Sequence, residues 1–371
     1  MKAKKISLSG FRNICEANVS FSPDITFLLG NNAQGKTNIL EALYLFARGK
    51  SFRGATDKEM TSFGKEGYSL SLTYEKEDRV EELSVSSFGR EKTRKKNGIL
   101  LEKQSELIGN FRAVMFSPDD LQMVKGSPSE RRHFLDVAIS QCYPVYLSMY
   151  AAYKKNLDER NALLKAMQKG FFYDEDMLSV YSERLSLYAA EIYLYRQAYV
   201  ERLREKAKDV VKELSSGRET LSLYYRSDMD SFGDVTEDKE TLTERYRHVF
   251  SAHTDRERAA GMTLFGIHRD ELEIFLSGIS AKDFGSQGQQ RSAVLALKMA
   301  EGMVSGEITG ERPVYLFDDV LSELDEGRRR FLLSGMRGCQ FVVTGCEMSI
   351  LGEIAEGVKV ISVKNGSFEE I

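Results

Sequence analysis

The chain has 371 residues, enough for roughly two to three domain-sized units, and its composition of 42% hydrophobic and 29% charged residues with only 5 prolines excludes disordered, collagen-like and disulfide-scaffold classes. With 52 basic against 56 acidic residues the net charge is -4, so any DNA site must be a local patch rather than a general polycationic surface. No apolar stretch reaches bilayer-spanning length, and the basic start Met1–Ile6 has no secretory core behind it, so a cytosolic chain without a membrane role is expected.

From the N-terminus, Ile6–Ser9 alternates as a strand, and Ile25–Leu29 is apolar enough to be a strand buried on both faces. Directly after it, Gly30-Asn31-Asn32-Ala33-Gln34-Gly35-Lys36-Thr37 fits G-x-x-x-x-G-K-[ST] at every fixed position, and Ile39, Leu43, Phe46 and Ala47 then follow at helical spacing. Strand, loop and helix in this order suit a phosphate cradle. Glycines let backbone N–H groups close around phosphate oxygens, and the positive end of the helix favours the anion. Lys36 is placed to reach β- and γ-phosphates, and Thr37 to put its hydroxyl on Mg²⁺. Further on, Tyr68, Leu70, Leu72 and Tyr74 share one parity, and Asn97-Gly98 predicts a hairpin turn before Ile99.

From Ser129 the apolar period changes from two to about three and a half, which predicts helices for most of the next ninety or so residues, broken at Pro144 and Gly170. Tyr181, Leu185, Tyr188, Ile192, Tyr195, Tyr199 and Leu203 form one stripe, read as the seam of a helical hairpin, and Ser215-Ser216-Gly217 stops it. An acidic, turn-rich stretch from Asp228 to Asp238 leads to a helix over Leu242 to Ala252. The four cysteines, Cys15, Cys142, Cys339 and Cys346, are too scattered for a metal ribbon and read as reduced thiols.

Near the C-terminus, Ser286 opens a run with Val294, Leu297, Ala300 and Val304 at helical spacing, so its hydroxyl can cap that helix beside free N–H groups, making a second anion-seeking helix start. Val314–Phe317 and Gln340–Val343 are short β-prone runs with a helix-like segment between them, which is βαβ spacing. The first ends in Asp318-Asp319. Asp318 is placed to hold Mg²⁺, and Asp319 to orient or deprotonate an attacking water.

Phe284-Gly285-Ser286-Gln287-Gly288-Gln289-Gln290-Arg291 resembles the signature of ABC-type ATPases, with Gln287 in a position usually held by glycine, and Ser322-Glu323-Leu324-Asp325 resembles their interface loop. Leu8–Asn13, Gly49–Arg53, Phe116–Leu121, Gly126–Arg132 and Gly266–Asp270 narrow the resemblance to the RecF family, bacterial recombination mediators related to SMC proteins. Three departures stand out: Ile267 where proline is expected, Asp319 where transport ATPases carry glutamate, and Thr344 where they carry a switch histidine.

The resemblance implies an α/β, ABC-type P-loop ATPase head built from both chain ends, residues 1–125 and 260–371, with a mainly helical insertion over 126–259 forming a second lobe and short arm. It implies a catalytic set of Lys36, Asp319, Ser286 and Gln289. The nucleotide-binding set is Gly30, Asn31, Asn32, Ala33, Gln34, Gly35, Lys36, Thr37 and Asn38, with Arg12 and Asn13 nearby, and the metal set is Thr37 and Asp318. The cofactors are ATP and Mg²⁺. The implied activity is a weak, DNA-stimulated ATPase acting as a switch: an ATP-gated homodimer that binds duplex DNA at single-strand gaps or junctions. It would serve repair, replication and the damage response by helping RecO and RecR load RecA. The alternative is the ATPase subunit of a membrane transporter, against which the long Lys36-to-Ser286 separation and the charged helical insertion weigh. Lys92–Lys96 and Arg328–Arg330 read first as solvated faces and second as DNA contacts, whereas Arg131, Arg132 and His133 suit structural or interlobe use equally and are not assigned to DNA.

Overall fold

A computed structural model of the chain describes residues 1–171, 174–233, 238–335, 338–349 and 357–371. Residues 234–237 of the acidic stretch lie outside them. The chain divides into two compact units, Met1–Asp120 with Leu295–Ile371, and Leu121–Val294. In chain order the described strands are β1 Lys2–Phe11, β2 Ile14–Ser20, β3 Ile25–Leu29, β4 Gly67–Lys76, β5 Arg79–Phe88, β6 Glu91–Lys96, β7 Ile99–Leu100, β8 Ala113–Phe116, β9 Leu221–Arg226, β10 Glu271–Leu276, β11 Ile279–Ser280, β12 Val314–Phe317, β13 Phe341–Gly345, β14 Lys359–Lys364 and β15 Ser367–Glu370.

The first unit holds two six-stranded sheets. One, ordered β2-β1-β4-β5-β6-β7, is antiparallel; the other, β15-β14-β3-β13-β12-β8, is parallel apart from β15. β3 runs between β14 and β13, so its centre, Thr26–Leu28, is buried throughout. Tyr68, Leu70, Leu72 and Tyr74 lie on the core side of β4. Asn97 and Gly98, with φ of 48° and 79°, turn the chain from β6 into β7 in the twist that a two-residue hairpin needs. β12 and β13 pair in parallel with the helix Glu326–Gly335 between them. The helix Lys36–Arg48 packs against β4 of one sheet and β8, β12 and β13 of the other. That double contact explains why every residue from Ile39 to Ala47 is buried, where the spacing of Ile39, Leu43 and Phe46 predicts a single stripe.

The second unit is mainly helical, with Pro128–Cys142, Pro144–Gln168, Glu175–Leu214 and Lys239–Ala252 as its long helices. Pro144 opens the second of these, and Gly170 follows its end with φ 71°. The helix of 40 residues stops at Leu214, before the left-handed Ser216 and Gly217. It packs along Pro144–Gln168 and Lys239–Ala252. Leu185, Ile192, Tyr199 and Leu203 of the stripe are buried, and the Tyr195 ring meets Tyr143 and Tyr146 at 5.1 and 5.8 Å, so the stripe is a packing seam.

A three-stranded sheet, β11-β10-β9, completes this unit. The resemblance implies a head segment of residues 260–371; here β10 pairs with β9 rather than with the parallel sheet, and residues 260–294 group with the helical unit. The arginines here are clamps between elements. Arg131 grips Glu271 with two parallel bonds of 2.6 and 2.9 Å, and Arg132 donates to the Asp270 carbonyl at 2.7 Å. Arg196, 1% exposed, donates to Asp136 Oδ1 at 2.8 and 3.1 Å and to the Ile267 carbonyl at 2.7 Å.

Arg196→Met is expected to lower unfolding free energy by about 3–5 kcal/mol in denaturant titration, because Asp136 is left buried without its counter-charge. His268 offers a pH test. Burial pushes its imidazole down to about 4, the Thr263 carbonyl opposing and Arg269, Arg132 and Arg160 reinforcing. The unfolded ring titrates near ~6.5, so the stability held by the neutral ring is complete above that pH and lost as pH falls through about 4. His268→Gln should flatten the stability-versus-pH curve in this window.

Candidate nucleotide-binding site

The site grows from the C-terminal end of β3. Gly30 N–H donates to the Gly345 carbonyl at 3.1 Å, so the loop leaves the sheet pinned to β13. A side chain at Gly30 would press to 2.4 Å from the Val363 carbonyl, and Gly35 combines φ 113° with a Cβ position 2.9 Å from Asn13 Oδ1. Both fixed glycines of the motif are therefore required sterically. The loop closes on its own lysine: Lys36 Nζ, 3% exposed as a residue, donates to the Gly30 carbonyl and to the Asn31 carbonyl at 3.2 Å, and lies 3.4 Å from Cys346 Sγ.

One helical residue later, Thr37 Oγ1 donates to Asp318 Oδ1 at 2.6 Å. This bond joins the P-loop helix to the end of β12, which the sequence separates widely. Burial raises the Asp318 carboxyl above its usual range, the Thr37 bond opposing and the neighbouring Asp319 adding to the rise. Asp319 takes a left-handed backbone, φ 54°, and its N–H donates to Thr344 Oγ1 at 2.9 Å. Thr344 Oγ1 also lies 3.3 Å from Asp318 Oδ1 and 3.1 Å from Asp319 Oδ1, so a single hydroxyl on β13 ties both acids together. Hydroxyl and carboxylate oxygens are the donors Mg²⁺ favours, so Thr37 and Asp318 are the residues that would hold it.

The other loop residues brace one another. Asn38 Nδ2 donates to Asn13 Oδ1 at 2.8 Å, Asn13 Nδ2 reaches the Ala33 carbonyl at 3.4 Å, and Cys346 Sγ meets Asn32 Oδ1 at 3.2 Å. Gln34 Oε1 accepts from Asn365 N–H at 2.7 Å, and its carbonyl from Gly366 N–H at 2.9 Å, which fixes the loop to the β14–β15 turn. Arg12 lies beside this group but its guanidinium grips Glu41, with bonds of 2.8 and 2.7 Å. Glu41 is fully buried and also accepts from Ser51 Oγ. A second cation at the helix start is Arg53, which donates to Asn38 Oδ1 at 3.2 Å and lies 3.9 Å from the Glu41 carboxylate. Glu41, Ser51, Arg53 and Cys346 carry no role in the sequence reading. The one available signal is Glu41, a carboxylate inside the apolar run Ile39–Ala47.

Ser286 and Gln289 belong to the second unit and form a reciprocal cap. Gln289 N–H donates to Ser286 Oγ at 3.2 Å, and Ser286 N–H to Gln289 Oε1 at 2.9 Å. The Ser286 hydroxyl proton stays available to an acceptor outside the cap.

The model of the RecF/RecN/SMC N terminal domain matches residues 2–369. The DNA replication and repair protein RecF of Clostridium acetobutylicum is 37% identical over 375 residues, covering 100% of both chains. Its counterpart in Exiguobacterium sp. is 39% identical over 374 residues, covering 100% of this chain and 99% of its own. The chain belongs to the RecF family. The solved structure of the recombination mediator RecF with ATP, of the RecFOR pathway, superposes with TM-score 0.91 at 30% identity, covering 100% of this chain and 97% of that one. A solved Smc head, 16% identical with TM-score 0.57, shares the fold. The fold is thus the ABC-type ATPase head of RecF and SMC proteins, built from both chain ends with a helical insertion. No helix of the described residues is long and apolar enough to cross a membrane.

Lys36→Ala is expected to weaken ATP binding at least about 100-fold by calorimetry, since it removes the charge-assisted bonds to phosphate. Retained tight binding would count against the loop as the nucleotide site.

Proposed function

We propose that the chain is an ATP-gated, DNA-binding switch of recombinational repair. ATP and Mg²⁺ bind at Gly30–Asn38, with Thr37 and Asp318 on the metal, Lys36 on the phosphates and Asp319 positioning water. Arg53, bonded to Asn38, supplies a second cation at the phosphate end. Two copies close over two nucleotides, Ser286 and Gln289 of each meeting the phosphate held by the other, and the closed homodimer grips duplex DNA beside a single-strand gap. Slow hydrolysis, stimulated by DNA, reopens it. The task is to help RecO and RecR load RecA.

The observation that carries this reading is the Thr37–Asp318 bond, because it brings together a hydroxyl and a carboxylate, the oxygen donors that Mg²⁺ favours. The separately capped Ser286 supports the dimer, since it offers a phosphate a hydroxyl and helix N–H groups from another unit of the chain. ATP acts as a gate only if the closed state binds it more tightly than the open one, and a site split between two copies provides that difference. The full-length relatives are repair proteins, which favours this reading over a transporter subunit.

The hairpin cluster is a weaker DNA candidate than its sequence suggests. Lys92 Nζ is 2.6 Å from Asp57 and Lys96 Nζ is 3.0 Å from Glu81, which leaves Lys95 as the exposed lysine of β6. Arg328 and Arg330 are likewise paired, with Asp325 at 2.6 Å and Glu326 at 3.2 Å. Phosphate binding by these groups has to compete with neighbours already in place.

Sedimentation with a non-cleavable ATP analogue, Mg²⁺ and gapped duplex tests the proposal. A nucleotide-dependent dimer that co-sediments with DNA is expected, and a monomer under saturating analogue overturns it. Ser286→Arg should leave each chain's ATP binding intact and abolish pairing, whereas Asp319→Asn should prolong the ATP-bound dimer.

A further inference from the structure

We infer that Phe284 is the apolar anchor of the nucleotide-dependent contact between two copies of the chain, exposed in the single chain and covered by the nucleotide-bearing face of the second copy. The inference rests on the reading of Ser286 as the group that meets a nucleotide held in trans, and adds to it the residue that supplies contact area.

The segment carrying Phe284 is held still. Ser280 caps the short turn Ala281–Phe284, accepting from Asp283 N–H at 3.4 Å. Gln290, 5% exposed, reaches back from the signature helix and donates its amide to the carbonyls of Ala281 and Lys282 at 3.0 and 3.3 Å. Between them Gly285 admits no side chain, because a Cβ there would lie 2.5 Å from the Ala281 carbonyl. Backbone on both sides of Phe284 is therefore tied to the helix that Ser286 caps.

On this fixed platform the ring is 74% exposed. Exposed apolar residues scattered singly are common and need no partner. Phe284 differs in its place. Two residues of chain span at most about 7 Å, so a phosphate close enough to bond the Ser286 hydroxyl brings the protein surface holding that phosphate onto Phe284 as well. A hydroxyl gives such a contact direction but little area. A rigid aromatic beside it gives area at low entropic cost, which is the usual make-up of an interface hot spot. The occupant is a second copy because the chain carries both halves of the contact, the P-loop in one unit and Ser286 in the other, which is the arrangement a two-fold pair needs.

The chain contains no tryptophan, so Phe284→Trp in the full-length protein creates a single fluorescent reporter at the position in question. With a non-cleavable ATP analogue and Mg²⁺, emission should shift to the blue and acrylamide quenching should fall several-fold as sedimentation reports the dimer. Both changes should be absent when Ser286→Arg is added. Phe284→Ala should weaken nucleotide-dependent pairing by about 10-fold or more while ATP binding per chain stays within about two-fold. A dimer that forms with Trp emission and quenching unchanged overturns this inference and leaves the proposed function standing, as does full-strength pairing by Phe284→Ala. A parent protein that stays monomeric under saturating analogue overturns both.

Discussion

The hydroxyl of Thr37 and the carboxylate of Asp318 come within 2.6 Å of each other through a chain of backbone constraints that begins in the parallel sheet. β3 and β12 do not pair directly; β13 lies between them, with Val343 opposite Phe27 on one side and Phe317 on the other. In this parallel register β3 and β13 end opposite each other at Leu29 and Gly345 while β12 ends opposite Val343, so the P-loop, the acidic pair and Thr344 gather at one edge of the sheet. A slip of one residue would reverse which side chains face the core and separate the pair. The required glycines act at the same place. With the loop bonded to Gly345 and packed close against the Val363 carbonyl, the helix starts where Thr37 reaches Asp318.

A second constraint is Glu41. A fully buried carboxylate is costly unless it is paired, and this one has the fork of Arg12, the Ser51 hydroxyl and, at 3.9 Å, Arg53. It thereby fastens the β1–β2 turn and the segment after the P-loop helix to the middle of that helix. Arg12 is fixed by this arrangement, with a third bond to the Glu59 carbonyl at 2.9 Å, and Arg53 is left at the rim beside Asn38. The division of labour between two arginines follows from which of them reaches the buried acid squarely.

Much of this was legible in the chain, and the limit follows the range of the interactions. The P-loop is readable because strand, glycine turn and helix are adjacent in sequence and each obeys a local rule. Val314–Phe317 followed by two acids is readable for the same reason, as are the Asn97-Gly98 turn and the Ser286 cap. Glu41 with Arg12 is not: a carboxylate inside the apolar run Ile39–Ala47 is a local signal, but which cation pairs with it depends on two sheets closing over one helix. β9 and β10 escape for a related reason: each is a six-residue strand whose partner lies far along the chain, and their pairing is what carries residues 260–294 into the helical unit. The tyrosine stripe was legible as a seam, whereas Arg196, buried among those helices, was not, since its partners Asp136 and Ile267 come from other segments.

Thr344 bears on why such a site suits a switch. A histidine at this position could take up and release a proton near neutral pH, coupling to each turnover. A threonine hydroxyl cannot. What Thr344 does is accept the Asp319 N–H and bridge toward both carboxylates, holding Asp319 in a left-handed backbone that an unsupported aspartate adopts at a cost. Asp319 is also one methylene shorter than glutamate, so its reach depends on that backbone staying put. An acid positioned by a fixed hydroxyl, rather than served by a titrating ring, keeps one geometry across the neutral pH range. That constancy fits the proposed ATP-gated closed state better than the rapid cycling of a pump.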